Sequence, residues 1–398
     1  MRHMNDTTRP LDGITVIALE HAIAAPFCTR HLADLGARVI KIERPGGGDF
    51  ARGYDRRVQG MASHFVWVNR SKESLTLDLK HPDARAVLDR LLAQADVFVQ
   101  NLAPGAAERM GLSFQALHDD FPRLIVCDIS GYGDGGPYRD KKAYDLLIQG
   151  ESGFLSITGD GDQPAKAGCS IADISAGMYA YSGILSALIQ RQHTGLGSRV
   201  EVSLLETMTE WMGYPLYYAY DGASPPGRSG AAHATICPYG PFQTGDGLTV
   251  LLGVQNEREW ASFCEVVLEQ PALADDPRYA SNVLRHEARA EVESRIRDVF
   301  ATLTSGAVMA RLDRAQIANA RLNEMKDVWA HPQLHARGRF RSVMTPAGEV
   351  PALLPPALPE GVSPRMDPVP AVGQHTEAIL AELGLASSID RLRADAAI

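Results

Sequence analysis

Short apolar runs and longer amphipathic stretches take turns along the N-terminal half of the chain, and their periods predict the elements. GITVIALE is apolar and β-branched, which predicts a buried strand. AAPFCTRHLADLG follows as a helix stopped at Gly36, and ARVIKIERP is the next strand. A strand–helix–strand unit with so short a crossover implies a parallel pair and a Rossmann-like sheet. SLTLDLK alternates, HPDARAVLDRLLAQA is amphipathic, DVFVQNLAPG reads as a strand running into a loop, and LIVCDISGYG as another strand. The alternation predicts an α/β class.

Further on, ISAGMYAYSGILSALIQRQ is apolar and rich in small residues, which predicts a buried helix over 174–192 packed closely on its neighbours. SRVEVSLLETMTEWMGYPLYYAY reads as a strand leading into a long apolar helix. DGASPPGRSGAAHATICPYG, rich in Gly, Pro and Ala, marks a linker. PYGPFQTGDGLTVLLGV reads as a hairpin turning at GDG, with helices after it. A Pro-rich stretch from about Pro351 predicts a return along the surface. The division that follows is a large Rossmann-like domain over 1–223, a smaller α/β domain over 224–330, and a return segment over 331–398.

Composition narrows the function classes. A chain of 398 residues with net charge −9 is not a general nucleic-acid binder. No apolar run is long enough to span a bilayer, and the polar start MRHMNDTTRPLDG lacks a signal peptide's apolar core, so a cytoplasmic enzyme is expected. The five cysteines are scattered and form no CxxC pair, which suits reduced thiols and offers no metal-site spacing. Cys169 reads as a small buried filler. The turn after the first strand reads HAIAAP rather than GxGxxG, so neither NAD nor FAD is expected.

Three groups of residues carry candidate chemistry. Arg44, Lys80, Arg109 and Lys142 stand near strand ends or loops, where positive charge suits a phosphorylated ligand and where a solvated surface is the plain alternative. SGYGDGGPY is turn-rich and offers backbone N–H groups to an anion, or is an ordinary loop. Asp173 stands where GDGDQPAKAG gives way to the apolar helix. The positive end of a helix dipole favours its ionised form, and the residue is either an N-cap or a nucleophile.

Longer stretches decide between these readings. PLDGITVIALE, LGARVIKIERPGGGD, NRSKESLTLDLKHP, ADVFVQNLAPGAAERMGL, SGYGDGGPY, AYDLLIQGESGFLSITG and IADISAGMYAYSGILSALIQRQHTGLGSRVEVSLLE stand in the order found in the class III coenzyme A transferases, and the chain resembles that family over nearly its whole length. The resemblance implies an interlocked-ring homodimer whose large domain is completed by the C-terminal segment. It implies Asp173 as the catalytic aspartate and Arg44 on the nucleotide phosphates. It further implies coenzyme A contacts from Ala22, Ile23, Ala24, Leu77, Lys80, Asn101, Leu102, Arg109, Lys142 and Tyr144. Coenzyme A esters would be substrates, with no permanently bound cofactor. Ile23 replaces a glutamine of formyl-CoA transferase, and HATICPYGPF replaces its glycine-rich loop, which argues against formate or oxalate. The racemase cousins carry GHD where this chain has AYD with Tyr144, which favours transfer over a 2-methylacyl-CoA racemase; a non-catalytic CoA-binding protein is the other alternative. ASHFVWVNRSKESLTLDLK looks most like transferases for itaconate, mesaconate or citramalate with succinyl-CoA as donor. Arg52, Arg56 and Arg57 are candidate cations for the acceptor's distal carboxylate, or a surface cluster.

Overall fold

A computed structural model describes residues 9–398 and divides into two compact units. The first holds residues 9–153, Ala167–Met212 and Leu334–Ile398; the second holds Phe154–Lys166 and Gly213–Gln333.

The first unit is built on a parallel sheet. Its strands are β1 (Thr15–Leu19), β2 (Arg38–Glu43), β3 (Lys72–Thr76), β4 (Val97–Gln100) and β5 (Ile125–Ser130), with Arg199–Ser203 beside β5. The order is β3-β2-β1-β4-β5 and then Arg199–Ser203, so β1 lies at the centre and the chain reverses direction of build there. Val16 of β1 stands level with Val39 of β2 and Val97 of β4. The near-continuous apolar runs read from the sequence are what a strand covered on both faces requires. Ile17, Leu19, Ile40, Ile42, Leu75 and Phe98 pack with the apolar stripe Val87, Leu88, Leu91 and Leu92 of helix Ala84–Leu92. The C-terminal helix Thr376–Glu382 adds Ile379 and Leu380 to the same core.

The return segment covers the β3 edge. Ser71 N–H donates to the carbonyls of Asp367 and Pro368, Gly373 N–H to Ser74 Oγ, and His375 N–H to the Ser74 carbonyl. An open edge would otherwise template pairing with another chain.

The first helix, Ala24–Asp34, lies against the long helix Ile171–Thr194. A Cβ at Gly177 would stand 2.7 Å from the Ala24 carbonyl oxygen and 3.0 Å from the Phe27 ring, so only glycine permits this approach. Four residues on, the Tyr181 and His31 rings are 5.4 Å apart. The two helices therefore run in the same direction. One turn back from Gly177, Asp173 comes level with the turn that precedes the first helix.

The second unit carries an antiparallel sheet in the order Ala318–Arg321, Thr249–Gly253, Tyr239–Gln243. Its core includes Phe242, Leu252, Trp260, Phe263, Ile296 and Leu312. The GDG hairpin is present, with Thr249 opposite Gln243. The sequence division places 154–166 and 213–223 in the large domain, whereas in the structure they cluster with the second unit. For 154–166 the ties are visible: Asp160 bridges Ser229, Gly230 N–H donates to the Gly159 carbonyl, and Arg228 Nε to the Leu155 carbonyl. The long apolar helix expected in SRVEVSLLETMTEWMGYPLYYAY breaks after Trp211 and resumes at Gly213.

Candidate active site

In an open parallel sheet, ligands meet the carboxyl ends of the strands where the strand order reverses. Here that place is the junction of β1 and β4. His21–Ala24 leave β1 there and Asn101–Leu102 leave β4. Arg44 follows β2, Leu77 and Lys80 follow β3, and Lys142 and Tyr144 come after β5.

The turn after β1 is held in an unusual conformation. Ala22 has φ +58°, a left-handed backbone that disfavours any side chain. Its N–H donates to Asp49 Oδ1 at 3.2 Å. The Asn101 side chain grips the preceding residue from both sides, accepting from His21 N–H at 2.9 Å and donating to the His21 carbonyl at 2.9 Å. Asn101 thus acts on the turn.

Beneath the turn lies a fully buried charge network. Lys41 Nζ is 2.8 Å from Asp49 Oδ2 and 3.3 Å from Glu20 Oε1. Lys72 Nζ is 2.7 Å from the same Glu20 oxygen and also donates to the Pro26 carbonyl and Asn69 Oδ1. Thr29 Oγ1 donates to Glu20 Oε2 at 2.6 Å. Burial works against the charge on Glu20, but the two ammonium groups outweigh it and hold its carboxyl below the ordinary carboxylate range. The apolar runs read as β1 and β2 and the alternation read in SLTLDLK give no warning that Glu20 after β1, Lys41 within β2 and Lys72 at the start of β3 meet inside.

Asp173 occupies the first turn of the long helix, which begins at Ile171 rather than at Ile174 as its pattern predicts. Ser170 is the N-cap residue, so Asp173 is not the cap, and Ser170 makes no side-chain cap bond. The helix end is served by Asp145 instead. Asp145 Oδ1 accepts from Ala172 N–H at 2.7 Å and from Asp173 N–H at 3.3 Å, and its Oδ2 accepts from Gln149 Nε2 at 2.6 Å. Gln149 Oε1 in turn accepts from Ala167 N–H at 2.9 Å, tying down the approach to the helix. Among the described residues the Asp173 carboxylate accepts no hydrogen bond. Burial first, and the Asp145 carboxylate second, push its pKa up to about 7. Against the pull expected from the helix dipole, two of the first-turn N–H groups serve Asp145, which sets a second negative charge at the same helix end.

Aromatic rings line the approach. His21 stacks on Phe50 at 5.4 Å, Phe50 lies 5.8 Å from Tyr54, and Tyr54 meets His64 edge-on at 5.4 Å. Burial pushes the Tyr54 hydroxyl up to about 12, and the charges of Asp49 and Asp173 act in the same direction, which places this ring beside both carboxylates.

The basic residues separate into two classes. Arg44, Lys80, Arg109 and Lys142 are exposed, and among the described residues none has a carboxylate partner. Lys141, next to Lys142, is by contrast paired with Glu151 and lies 4.2 Å over the Tyr138 ring. Arg52 belongs to the committed class. It holds both oxygens of Glu43 at 2.8 and 2.7 Å, donates to the Pro370 carbonyl, and lies 3.7 Å over the Phe65 ring. Its guanidinium is therefore not free for a substrate carboxylate, whereas Arg56 and Arg57 are exposed and unpaired among the described residues.

Three more expectations change. The Leu77 side chain is buried in the core, so only its backbone faces outward chemistry; its N–H donates to the Glu43 carbonyl. Cys169 is exposed rather than a buried filler. In SGYGDGGPY, Gly133 N–H is taken by Ser130 Oγ and Asp134 N–H by Glu201, which leaves fewer donors than the loop's sequence offers. Asp145, Asp49 and Tyr54 escaped the sequence reading; Asp145 stood inside KAYD, where only its neighbours were singled out.

Comparison with known proteins fits this arrangement. A model of "CoA-transferase family III" matches residues 11–376. The chain is 35% identical to the succinate–glutarate CoA-transferase of Agrobacterium fabrum, covering 96% of this chain and 98% of the relative. It is 32% identical to the succinyl-CoA–D-citramalate CoA-transferase of Chloroflexus aurantiacus, covering 94% of each. The crystal structure of a CAIB/BAIF family protein from Brucella suis superposes with a TM-score of 0.84 at 33% identity, over 95% of this chain and 100% of that one. With a match that runs nearly end to end and a shared sheet architecture, the chain belongs to CoA-transferase family III and is a CoA-transferase.

Proposed function

We propose that this enzyme moves coenzyme A from succinyl-CoA to a five-carbon dicarboxylic acid through an aspartyl-CoA thioester on Asp173. The observation that carries the proposal is the Asp173 carboxylate itself: half-buried, free of hydrogen-bond donors among the described residues, and raised to about 7. Such a carboxylate is poorly solvated and correspondingly nucleophilic. The relatives named above use glutarate and D-citramalate, both five-carbon dicarboxylates. Branched acids of the itaconate, mesaconate and citramalate type are the favoured acceptors.

Asp173 attacks the thioester carbonyl of succinyl-CoA, giving a mixed anhydride and CoA thiolate. The thiolate attacks the aspartyl carbonyl, releasing succinate and leaving CoA on the enzyme. The acceptor carboxylate then attacks the aspartyl thioester and forms a second anhydride. The thiolate finally attacks the acceptor's carbonyl, giving the new CoA ester and free Asp173. The thioester supplies the activation, so no resident cofactor takes part. The first N–H groups of helix Ala24–Asp34, which has no side-chain cap, are the proposed donors to each oxyanion. Lys142 and Tyr144 face the same ester. The working form is an interlocked homodimer in the cytoplasm. The five cysteines, all free, suit a reducing compartment, and no described helix is long and apolar enough to cross a membrane.

The direct test incubates the enzyme with succinyl-CoA and a panel of dicarboxylic acids and reads the products by mass spectrometry. A CoA ester of glutarate or of a branched five-carbon acid is expected, and turnover only with monocarboxylates would refute the acceptor class.

Arg44 is assigned to the nucleotide phosphates. Arg44→Ala should remove a charge-assisted contact worth about 1.5–3 kcal/mol. That contact is the same in ground and transition states, so KM for the CoA ester should rise roughly 10- to 100-fold with kcat little changed. Steady-state kinetics with an unaltered KM would remove Arg44 from the site.

The dimer is supported by the apolar side chains that one chain leaves in water, Tyr214, Leu216, Tyr217 and Tyr220 among them. Sedimentation at micromolar concentration should give twice the chain mass; a monomer would refute the interlocked form.

A further inference from the structure

Asp145 stands beside the proposed nucleophile, and nothing in the reaction as written uses it. Its place is nonetheless specific. It is the first residue of the short helix Asp145–Glu151, and it reaches across to the end of a helix that begins 26 residues later, at Ile171. There it accepts the Ala172 and Asp173 N–H groups on one oxygen, while Gln149 Nε2 fixes the other. The remaining early N–H groups of the long helix are also occupied: Ile171 donates to the Cys169 carbonyl and Ile174 to the Ser170 carbonyl. An acid in the first turn of a helix ordinarily draws on these donors. Asp173 does not: the N–H groups of residues 171–174 are taken, and its carboxylate makes no capping-box bond back to the Ser170 N–H.

We propose that Asp145 is a positioning residue for CoA transfer: by occupying the N-terminal N–H groups of the long helix it denies them to Asp173 and sets a second carboxylate beside the attacking one. The proposal rests on the reading of Asp173 as the nucleophile. It has two consequences. A carboxylate stripped of donors keeps its lone pairs for the thioester carbonyl. In addition, acylation converts Asp173 from an anion into a neutral anhydride or thioester, so the repulsion from Asp145 is relieved as the first covalent bond forms. Asp145 thus raises the energy of the free enzyme's reactive state and not that of the intermediate.

The other charged and titratable groups near this carboxylate are few. Tyr54 faces it, and Tyr144 is the residue before Asp145. On the first helix, Arg30 and His31 lie further along, beside Asp34 and Tyr181. From helix Leu204–Trp211, Thr207 bonds Ser175 and Glu206 is held by Ser203. From the sheet, Arg199 holds Asp128 and Glu201. Asp145 is the acid that acts on Asp173 directly.

The test is the pH dependence of kcat/KM for succinyl-CoA in the intact full-length enzyme and in Asp145→Asn, with the CoA adduct on the Asp173 peptide measured by mass. Asparagine keeps an oxygen for the two N–H groups but removes the charge. The acid limb of the profile should move down by about one pH unit or more. The plateau above it should fall by about tenfold, and the thermal midpoint should fall modestly, because the asparagine Nδ2 meets Gln149 Nε2 where the carboxylate oxygen accepted from it. Asp145→Ser, which keeps a capping oxygen on a shorter side chain, should shift the limb in the same direction and serves if the asparagine variant does not fold. A limb that does not move, with a plateau within about twofold of the parent, would overturn the proposal. Asp173→Asn is run in parallel. If it is inactive while the Asp145→Asn limb is unmoved, only the role of Asp145 falls. If Asp173→Asn transfers CoA at the parent rate, the nucleophile reading falls and this proposal with it.

Discussion

Asp173→Asn should abolish CoA transfer, by about a thousandfold or more, because the amide has no carboxylate to attack the thioester. Folding should not suffer, since the helix end is capped by Asp145 and Asp173 itself caps nothing. The sign of the stability change follows from proton linkage. The native pKa of about 7 lies above the ordinary value of 3.8, so between those values the folded state holds a proton that the unfolded chain has lost. The parent therefore loses stability as pH rises through that window. The asparagine variant has no such proton to lose. It should match the parent near pH 4 and be the more stable of the two above pH 7, while being inactive throughout. Thermal denaturation across this range, with parallel assays, checks both halves. Hydroxylamine added during turnover of the parent should leave a hydroxamate on the peptide containing Asp173. Full activity in the variant would exclude the aspartyl mechanism.

Glu20→Ala should cost about 3–5 kcal/mol of stability, among the largest effects of any single change in the first unit. Glu20, Lys41 and Lys72 are all fully buried, and one Glu20 oxygen faces both ammonium groups. Removing it leaves Lys72 with two neutral oxygen acceptors and no counter-charge, and Lys41 with the Asp49 carboxylate and the residue-20 carbonyl. A buried ion pair adds little net stability, but an orphaned buried charge is costly. The damage should also reach the turn after β1, because Lys41 steadies the Asp49 that holds Ala22 N–H. Denaturant unfolding should show a large fall in midpoint. Lys72→Met combined with Glu20→Gln should recover part of the loss, since it removes one of the two buried ammonium groups along with the carboxylate. A Glu20→Ala midpoint equal to the parent's would show that the network contributes nothing to the fold.

Much of the architecture was legible because burial and period are local properties. An apolar β-branched run followed by an amphipathic stretch encodes a covered strand and its crossover helix. GITVIALE, ARVIKIERP and LIVCDISGYG accordingly appear as β1, β2 and β5 in one parallel sheet. The same local logic brought the candidate basic residues to the carboxyl ends of strands, since a loop that follows a parallel strand has only one end of the sheet to occupy.

What a charge touches is not local, and here the sequence was silent. Arg52 and Arg56 read alike, yet Arg52 is locked on Glu43 while Arg56 is unpaired among the described residues. Leu77 and Lys80 stand three residues apart in one motif, but the sheet buries the first and exposes the second. Asp173 read as a residue at a helix start, with the dipole in its favour. The structure brings Asp145 to that same helix end from a different helix, and the second carboxylate takes the donors that the first would have used. The sequence by itself determined that an acid stands at the start of a close-packed helix in an α/β enzyme. Only the tertiary structure decided how basic that acid is, because its pKa depends on the solvent excluded and on the neighbouring charges, and both are set by chain segments far apart in sequence.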